Sequence, residues 1–271
     1  MKILAIREDN GNSVKDLAYL LYYEKAKAFY IEIPEDADEW EVPLILDSFV
    51  KRGEHTVNAY WSKRWVEQRI VPTDRQNLGQ ILKANNLSEY DEFGLLMLSN
   101  GRCAQDDYYL AQIAEDAFPP FLLERYQKKV EDVVVLGNQN LLVFFRDGVV
   151  RKVDVTSLLV DKSEFKPVLE RADLFSQVSV QVGGYGVCWG TELVLSDSIL
   201  YQSGEIVPLS LEDFKGFVLN RVVNSAEAAE ILDCSRQNIE DLVKRGKLTP
   251  IKSSSKNKLF LKSEIQQRNW L

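Results

Sequence analysis

The sequence predicts an α+β protein that is built from several domains, because its pattern changes along the chain. Residues 1–117 carry mainly helical patterns, which predict a helical N-terminal domain. Short apolar runs separated by Gly and Asn follow, and they predict a small α+β module over residues 129–203. Residues 221–271 contain two capped helical segments, a basic hairpin and a last helical segment. A chain of 271 residues is long enough for this division.

The N-terminal domain is expected to be mainly helical after a short strand at residues 2–6. Helical patterns begin at Ser13, at residues 35–41 and at residues 56–68. The segment from Ser13 is rich in tyrosine, and the alternation at residues 29–33 also fits a strand. Core packing of the tyrosines and tryptophans is favoured over a ligand cage or a partner surface.

The central module is expected after a boundary at residues 118–128, where two adjacent prolines interrupt the pattern. Its runs and turns resemble a small α+β domain of unknown function that is widespread in bacterial genomes. The resemblance rests on Leu142-Val143, the Arg146-Asp147-Gly148 hairpin, Asp154 with Leu158-Leu159, Asp173-Leu174-Phe175, Val178-Ser179-Val180, the loop at residues 183–186, Trp189 and Leu200-Tyr201. Some members accompany a helix-turn-helix or lie in toxin–antitoxin-like gene pairs. The resemblance therefore implies a fold, and a toxin-like protein as one partner to expect.

The C-terminal module, residues 221–271, contains two short helices on either side of a three-residue turn. Asn224 and Glu227 have the spacing of a capping box at the start of the first helix. Ser235 is placed to cap the second helix, and Gly246 is placed to end it in a left-handed conformation. These features predict a helix-turn-helix, a motif whose usual use is to read DNA.

This stretch resembles the small winged helix-turn-helix shared by excisionases and the N-terminal domains of MerR-type regulators. The positions that carry the resemblance are Val223-Asn224, Glu227-Ala228-Ala229, Ile231-Leu232, Ser235-Arg236, Ile239, Leu242-Val243, Gly246-Lys247-Leu248 and Phe260-Leu261. In that family the second helix enters the major groove and the hairpin, or wing, contacts phosphates. The resemblance implies that Arg236, Gln237 and Asn238 lie at the groove. It implies that a basic set lies toward the DNA backbone, namely Lys244, Arg245, Lys247, Lys256 and Lys258.

Two carboxylates, Glu240 and Asp241, depart from the family pattern in the middle of the second helix. Carboxylates beside phosphates are repelled, unless one accepts a hydrogen bond from a cytosine amino group. The alternative interpretation is that these acids only solvate an exposed helix face. Duplex DNA binding and a protein-binding or weakened helix-turn-helix therefore both stay open.

The charge distribution favours DNA as the partner. The whole chain has a net charge of −8, yet residues 221–271 hold 10 basic and 6 acidic side chains, a net of +4. The other 220 residues hold 23 basic and 35 acidic side chains, a net of −12. A basic module on an acidic body fits one nucleic-acid surface. A net charge of +4 on one copy would bind DNA only weakly. A homodimer is therefore expected, with its dimer surface within residues 1–203.

The residue types argue against an enzyme, a metal site and a cofactor. The chain has one histidine, His55. Because histidine is a common metal ligand and the usual base of a catalytic triad, both kinds of site are disfavoured. Asp106 and Asp107 are interpreted as helix-start acids rather than a catalytic pair. The loop at residues 183–186 lacks the spacing of a phosphate-binding loop and is expected to be a tight strand connection. No catalytic residue, metal ligand or cofactor is therefore predicted.

The cysteines and apolar runs predict a cytoplasmic protein without a membrane span. Cys103, Cys188 and Cys234 are odd in number and far apart, which favours reduced thiols. The N-terminus lacks the apolar run of a signal peptide, and no stretch approaches 18 uncharged apolar residues. The function expected from all these observations is a bacterial DNA-binding transcription regulator or antitoxin-like protein. The alternative is a non-enzymatic adaptor whose helix-turn-helix binds a protein.

Overall fold

The computed structural model describes residues 1–9, 14–114, 117–159, 162–254 and 257–268. The chain divides into two compact units. Unit 1 comprises Met1–Asp147 and Val153–Gly204, and unit 2 comprises Gly148–Lys152 and Glu205–Leu271. The boundary expected at residues 118–128 does not separate units in this division, because the N-terminal region and most of the central module form unit 1 together.

Unit 1 begins with an antiparallel five-stranded sheet in the order β4-β3-β2-β1-β5. Its strands are β1 (Lys2–Glu8), β2 (Asp16–Tyr23), β3 (Ala28–Glu32), β4 (Thr56–Val57) and β5 (Tyr108–Gln112). The register aligns Leu4, Leu20, Ile31 and Val57 in one buried row across four strands. The helices of this region are α1 (Leu44–Lys51), α2 (Ala59–Glu67), α3 (Leu78–Ala84), α4 (Glu92–Leu98) and α5 (Pro120–Gln127).

The prediction of a mainly helical N-terminal domain is wrong for its first part, because β2 occupies the segment interpreted as a tyrosine-rich helix. The expected helix start, Ser13, lies outside the described residues. Both faces of β2 are covered: Leu20 packs in one core cluster and Tyr19 in the other. A strand buried on both faces reads as a continuous apolar run, which local pattern cannot distinguish from a buried helix. Residues 35–41 likewise form turns rather than a helix.

The second core cluster joins the sheet to the rest of unit 1. Tyr30 from β3 stacks on Tyr185 with ring centroids 3.7 Å apart and an angle of 5° between the rings. Leu122 from α5 is buried in the same cluster. The segment predicted to be a boundary therefore contributes to a shared core, which explains why the two predicted domains form one unit.

The central region contains short strands and helices, as the sequence predicts. Its elements are β6 (Val130–Val135), β7 (Asn140–Phe145), β8 (Val150–Asp154), α6 (Val155–Leu159), α7 (Lys166–Glu170), α8 (Ala172–Phe175), β9 (Ser179–Val180), β10 (Gly186–Trp189), β11 (Leu193–Ser196) and α9 (Asp197–Gln202). Strands β6 and β7 pair antiparallel, and a second antiparallel sheet has the order β11-β10-β9. The buried Trp189 packs against Phe175, and its indole N–H donates to the Phe175 carbonyl at 2.9 Å.

Unit 2 contains a three-stranded antiparallel sheet in the order β13-β15-β14 with helices around it. Its elements are β12 (Glu205–Ile206), α10 (Leu211–Arg221), β13 (Val222–Asn224), α11 (Ser225–Ile231), α12 (Arg236–Lys244), β14 (Lys252–Ser253), β15 (Lys258–Leu261) and α13 (Lys262–Gln267). Strand β12 pairs with residues 151–152 of β8. Ser210 caps α10 with a capping box.

Candidate nucleic-acid interface

A small apolar core holds α12 against its neighbours in unit 2. Ile239, the one fully buried residue of α12, packs in a cluster with Ala228 and Ala229 of α11 and with Phe260 of β15. The two alanines are 0% and 6% exposed. Their short side chains let α11 and α12 approach closely. The face of α12 that lies opposite Ile239 is turned toward solvent.

Local hydrogen bonds fix where both helices begin. The Asn224 side-chain oxygen accepts from the backbone amides of Ala226 and Glu227 at 2.8 and 3.1 Å. The Glu227 carboxylate accepts from the Asn224 amide at 2.7 Å, which completes the predicted capping box. Ser235 caps α12 by accepting from the Asn238 amide at 3.2 Å. Gly246, with φ of 66°, takes up the predicted left-handed conformation just after that helix.

The exposed face of α12 carries the residues predicted at the DNA groove. Arg236, Gln237 and Asn238 are all exposed in the first turn. Successive helical residues are turned by about 100°, so Arg236 and Asn238 lie on opposite flanks with Gln237 between them. The four-residue spacing places Arg236, Glu240 and Lys244 in one ridge along the helix. This face can therefore offer a guanidinium, an amide and an ammonium group, with one carboxylate among them.

The acids of α12 form ion pairs with two of the predicted backbone-contacting lysines. The Glu240 carboxylate contacts the Lys258 ammonium of β15, whose side chain is 20% exposed. Asp241 lies 3.8 Å from the ammonium of Lys244, whose side chain is 75% exposed. The Glu240–Lys258 pair links α12 to the β14–β15 hairpin and neutralises one lysine of the proposed surface. Lys244 remains open to solvent.

The other predicted backbone-contacting residues lie after α12. Arg245 is exposed at the C-cap of the helix, and Lys247 is exposed in the following loop. The backbone carbonyl of Lys247 accepts from the Arg268 guanidinium. Lys256 lies outside the described residues.

Unit 1 also contains a buried charge cluster that no sequence pattern predicts. The Lys129 ammonium lies 3.2 Å from Glu32 and 3.0 Å from Asp197, and its side chain is 4% exposed. It also lies 3.8 Å from the centre of the Tyr185 ring. Arg125 makes a further ion pair with Glu32 at 3.0 Å. The residues come from segments far apart in the chain, so no local motif signals their meeting.

The geometry of this cluster indicates a structural role. Burial raises the pKa of the Asp197 carboxyl, while the nearby Lys129 ammonium acts in the opposite direction. Burial also raises the pKa of Tyr185 well above its ordinary value. A cleft of about 890 Å³ lies beside these side chains. Lys129 and Arg125 pair with Glu32 and Asp197, and Arg125 also lies 3.7 Å from Glu35, so the charged groups of the cluster have partners within unit 1.

The remaining polar candidates from the sequence have structural partners. Asp106 pairs with the buried Arg69 guanidinium at 2.5 Å, and the following residues form β5 rather than the expected helix. His55 Nδ1 lies 3.1 Å from the Pro34 carbonyl oxygen. In the part of the chain that the structure describes, no group of three or more His, Cys, Asp or Glu side chains is placed to hold a metal ion. Over the same residues, no helix has the length and apolar character needed to cross a membrane.

Comparison with known proteins finds a family match within the central region. Residues 130–205 match the family model described as a protein of unknown function (DUF2442). The match coincides closely with the module expected at residues 129–203. The description of this family assigns no activity to it. Searches of curated proteins and of solved structures found no match.

Proposed function

We propose that residues 221–271 form a winged helix-turn-helix that binds double-stranded DNA, and that the protein is a transcription regulator or an antitoxin-like DNA-binding protein. One observation carries the proposal: α12 buries Ile239 in the core and presents Arg236, Gln237 and Lys244 on its exposed face. A guanidinium can donate two hydrogen bonds to guanine, and a glutamine side chain can pair with adenine in the major groove. The β14–β15 hairpin is the wing in this proposal.

Electrostatics supports the same surface. Residues 221–271 have a net charge of +4 on a chain of −8. Residues 221–271 would therefore be attracted to DNA, whereas the acidic remainder of the chain is repelled by it. The DUF2442 match is compatible with this proposal but does not argue for it, since that family has no assigned activity.

The proposal predicts salt-dependent binding of the full-length chain to nonspecific duplex DNA. With roughly three to six phosphate contacts, log affinity should fall against log salt with a slope of about −3 to −5, because bound counterions are released. Fluorescence anisotropy of a labelled duplex at several salt concentrations measures this slope. Binding that is absent at low salt, or that is indifferent to salt, would remove DNA from the proposal.

Base and phosphate contacts can be separated with two variants and a control. Arg236→Ala is expected to relax sequence preference, with a cost of about 1–3 kcal/mol on the preferred site. Lys244→Ala should weaken binding to all sequences alike and reduce the salt slope by about 1. Lys166→Ala is the control, because that side chain is 71% exposed in unit 1. Equal losses for all three variants would contradict the assignment of α12.

Glu240 is expected to limit DNA affinity, because its carboxylate neutralises Lys258. Replacing Glu240 by glutamine should strengthen nonspecific binding and make the salt slope steeper by about 0.9, the share of one added phosphate contact. Asp241→Asn should have a smaller effect, because Asp241 lies farther from its lysine, at 3.8 Å. If both variants bind DNA as the wild type does, this face of α12 does not lie near phosphates.

The two carboxylates also favour a second candidate function, that of an adaptor whose helix-turn-helix binds a protein. Glu240 and Asp241 would then pair with basic groups of the partner instead of opposing phosphates. Copurification of the full-length chain with one protein, without nucleic acid, tests this function. A stable complex together with undetectable duplex binding would favour the adaptor.

A further inference from the structure

Helix α10, which leads directly into β13, has no buried side chain. Phe217, Val218 and Leu219 are 52%, 40% and 83% exposed, although all three are large apolar residues. A run of three exposed apolar residues on one helix is unusual unless part of it serves a function such as binding a partner. The arrangement of charges along the same helix indicates what that partner is.

Asp213, Phe217 and Arg221 follow one another at four-residue intervals and so form a single ridge on α10. All three side chains are exposed. An acid at one end, an aromatic ring in the middle and a cation at the other end make this ridge complementary to itself when a second copy runs antiparallel. Phe217 then faces Phe217 of the second copy, and Asp213 faces Arg221 at both ends.

We propose that a second copy of this chain docks on the Asp213–Phe217–Arg221 ridge of α10 through a two-fold, antiparallel helix contact. An isologous contact of this kind closes on itself and stops at two chains. The ridge lies within unit 2, immediately before the C-terminal module, rather than within residues 1–203, where the sequence predicts the dimer surface. This proposal deepens the proposed function, because paired helix-turn-helix modules on two half-sites are the usual way to hold an operator.

The contact is small, which sets its strength. An 11-residue helix is about 16 Å long, so a contact between two such helices falls at the low end of protein interfaces. Association without DNA is therefore expected at roughly tens of micromolar. A duplex that holds both modules would strengthen it by raising their effective concentration.

Sedimentation equilibrium of the full-length chain without DNA tests the proposal with a matched pair of variants. The wild type should approach twice its 31.0 kDa mass as its concentration rises. Phe217→Glu should weaken this association at least about tenfold, because it places two carboxylates at the two-fold axis. Leu219→Glu should leave it unchanged, because Leu219, although 83% exposed, lies on another side of α10. Equal effects of the two variants, or a wild type that stays monomeric at hundreds of micromolar, would overturn the proposal.

Charge reversal at Arg221 tests the antiparallel register, whereas Asp213 is left unchanged because its carboxylate closes the capping box of α10. Arg221→Asp should oppose two carboxylates at each end of the contact and stay monomeric. Arg221→Lys keeps the positive charge and should associate as the wild type does. An Arg221→Asp variant that associates as the wild type does would contradict this register.

The outcome for assembly is separate from the outcome for DNA binding. Each chain is also titrated with a duplex of about one helical turn, roughly 10 base pairs, which accommodates one module. If Phe217→Glu binds this short duplex as the wild type does but remains monomeric, both proposals hold. If Phe217→Glu and Leu219→Glu affect association equally while both bind the duplex, only the α10 contact is removed. Assembly without any duplex binding would remove only the DNA-binding function.

Discussion

Replacing Lys129 by methionine is expected to lower the free energy of unfolding by about 3–5 kcal/mol, because it leaves buried carboxylates without their counter-charge. The Lys129 ammonium lies within 3.2 Å of both Glu32 and Asp197. Methionine fills a similar volume, so the loss measures the missing charge more than a cavity. Glu32 keeps its ion pair with Arg125, so Asp197 bears most of the loss.

The neighbouring residue supplies the control for this variant. Lys128→Met removes a lysine whose side chain is 44% exposed and whose partner, Glu124, is 69% exposed. Such surface pairs contribute at most about 1 kcal/mol, so this variant should unfold close to the wild type. Urea unfolding followed by tryptophan fluorescence compares the two. Similar midpoints for Lys129→Met and Lys128→Met would contradict the structural role of the cluster.

The loss in Lys129→Met should also depend on pH. Burial holds the pKa of Asp197 above its ordinary value in the wild type, and removing the ammonium should raise that pKa further. A raised folded-state pKa means that protonation of Asp197 favours the folded state. The deficit should therefore shrink as the pH falls and grow as the pH rises through the folded-state pKa. A deficit that is constant from acid to neutral pH would implicate packing instead.

Gly186→Ala is expected to destabilise unit 1 by about 2–6 kcal/mol, through backbone strain and steric overlap together. Gly186 has a φ of 144°, which side-chain-bearing residues rarely adopt. A Cβ at this position would lie 2.3 Å from the Leu195 carbonyl oxygen, on the strand paired with it. Neither atom can move away without disrupting the β10–β11 pairing.

Gly216→Ala is the matched control and should have the opposite sign. Gly216 lies inside α10, where an added Cβ would meet nothing within 4 Å. Alanine there should stabilise the helix by about 0.5–1 kcal/mol, because glycine loses more conformational freedom on folding. Thermal unfolding of both variants checks the contrast. A tolerated Gly186→Ala would show that the loop at residues 183–186 relaxes more easily than its geometry indicates.

The local structure of the C-terminal module could be predicted from its sequence because its signals are short-range. Asn224 and Glu227 are three residues apart, and Gly246 comes directly after Arg245, the C-cap of α12. Caps and turns of this kind depend only on residues that are close in the chain, so they can be predicted without knowledge of the fold. The segment from Ser13 carries no such short-range signal, and its apolar run fits a helix as well as a strand buried on both faces.

What the sequence by itself determined is the caps and helices of the C-terminal module and the contrast between this basic module and the acidic remainder. The tertiary structure decided which side chains meet. It made β2 an inner strand by covering both its faces, and it brought Lys129 between Glu32 and Asp197. It also paired Glu240 with Lys258, which changes the charge that the proposed interface offers. These contacts join residues that are 18 to 97 positions apart in the chain. Bringing such residues together costs chain entropy, so the contacts are stable only because the rest of the unit is packed around them.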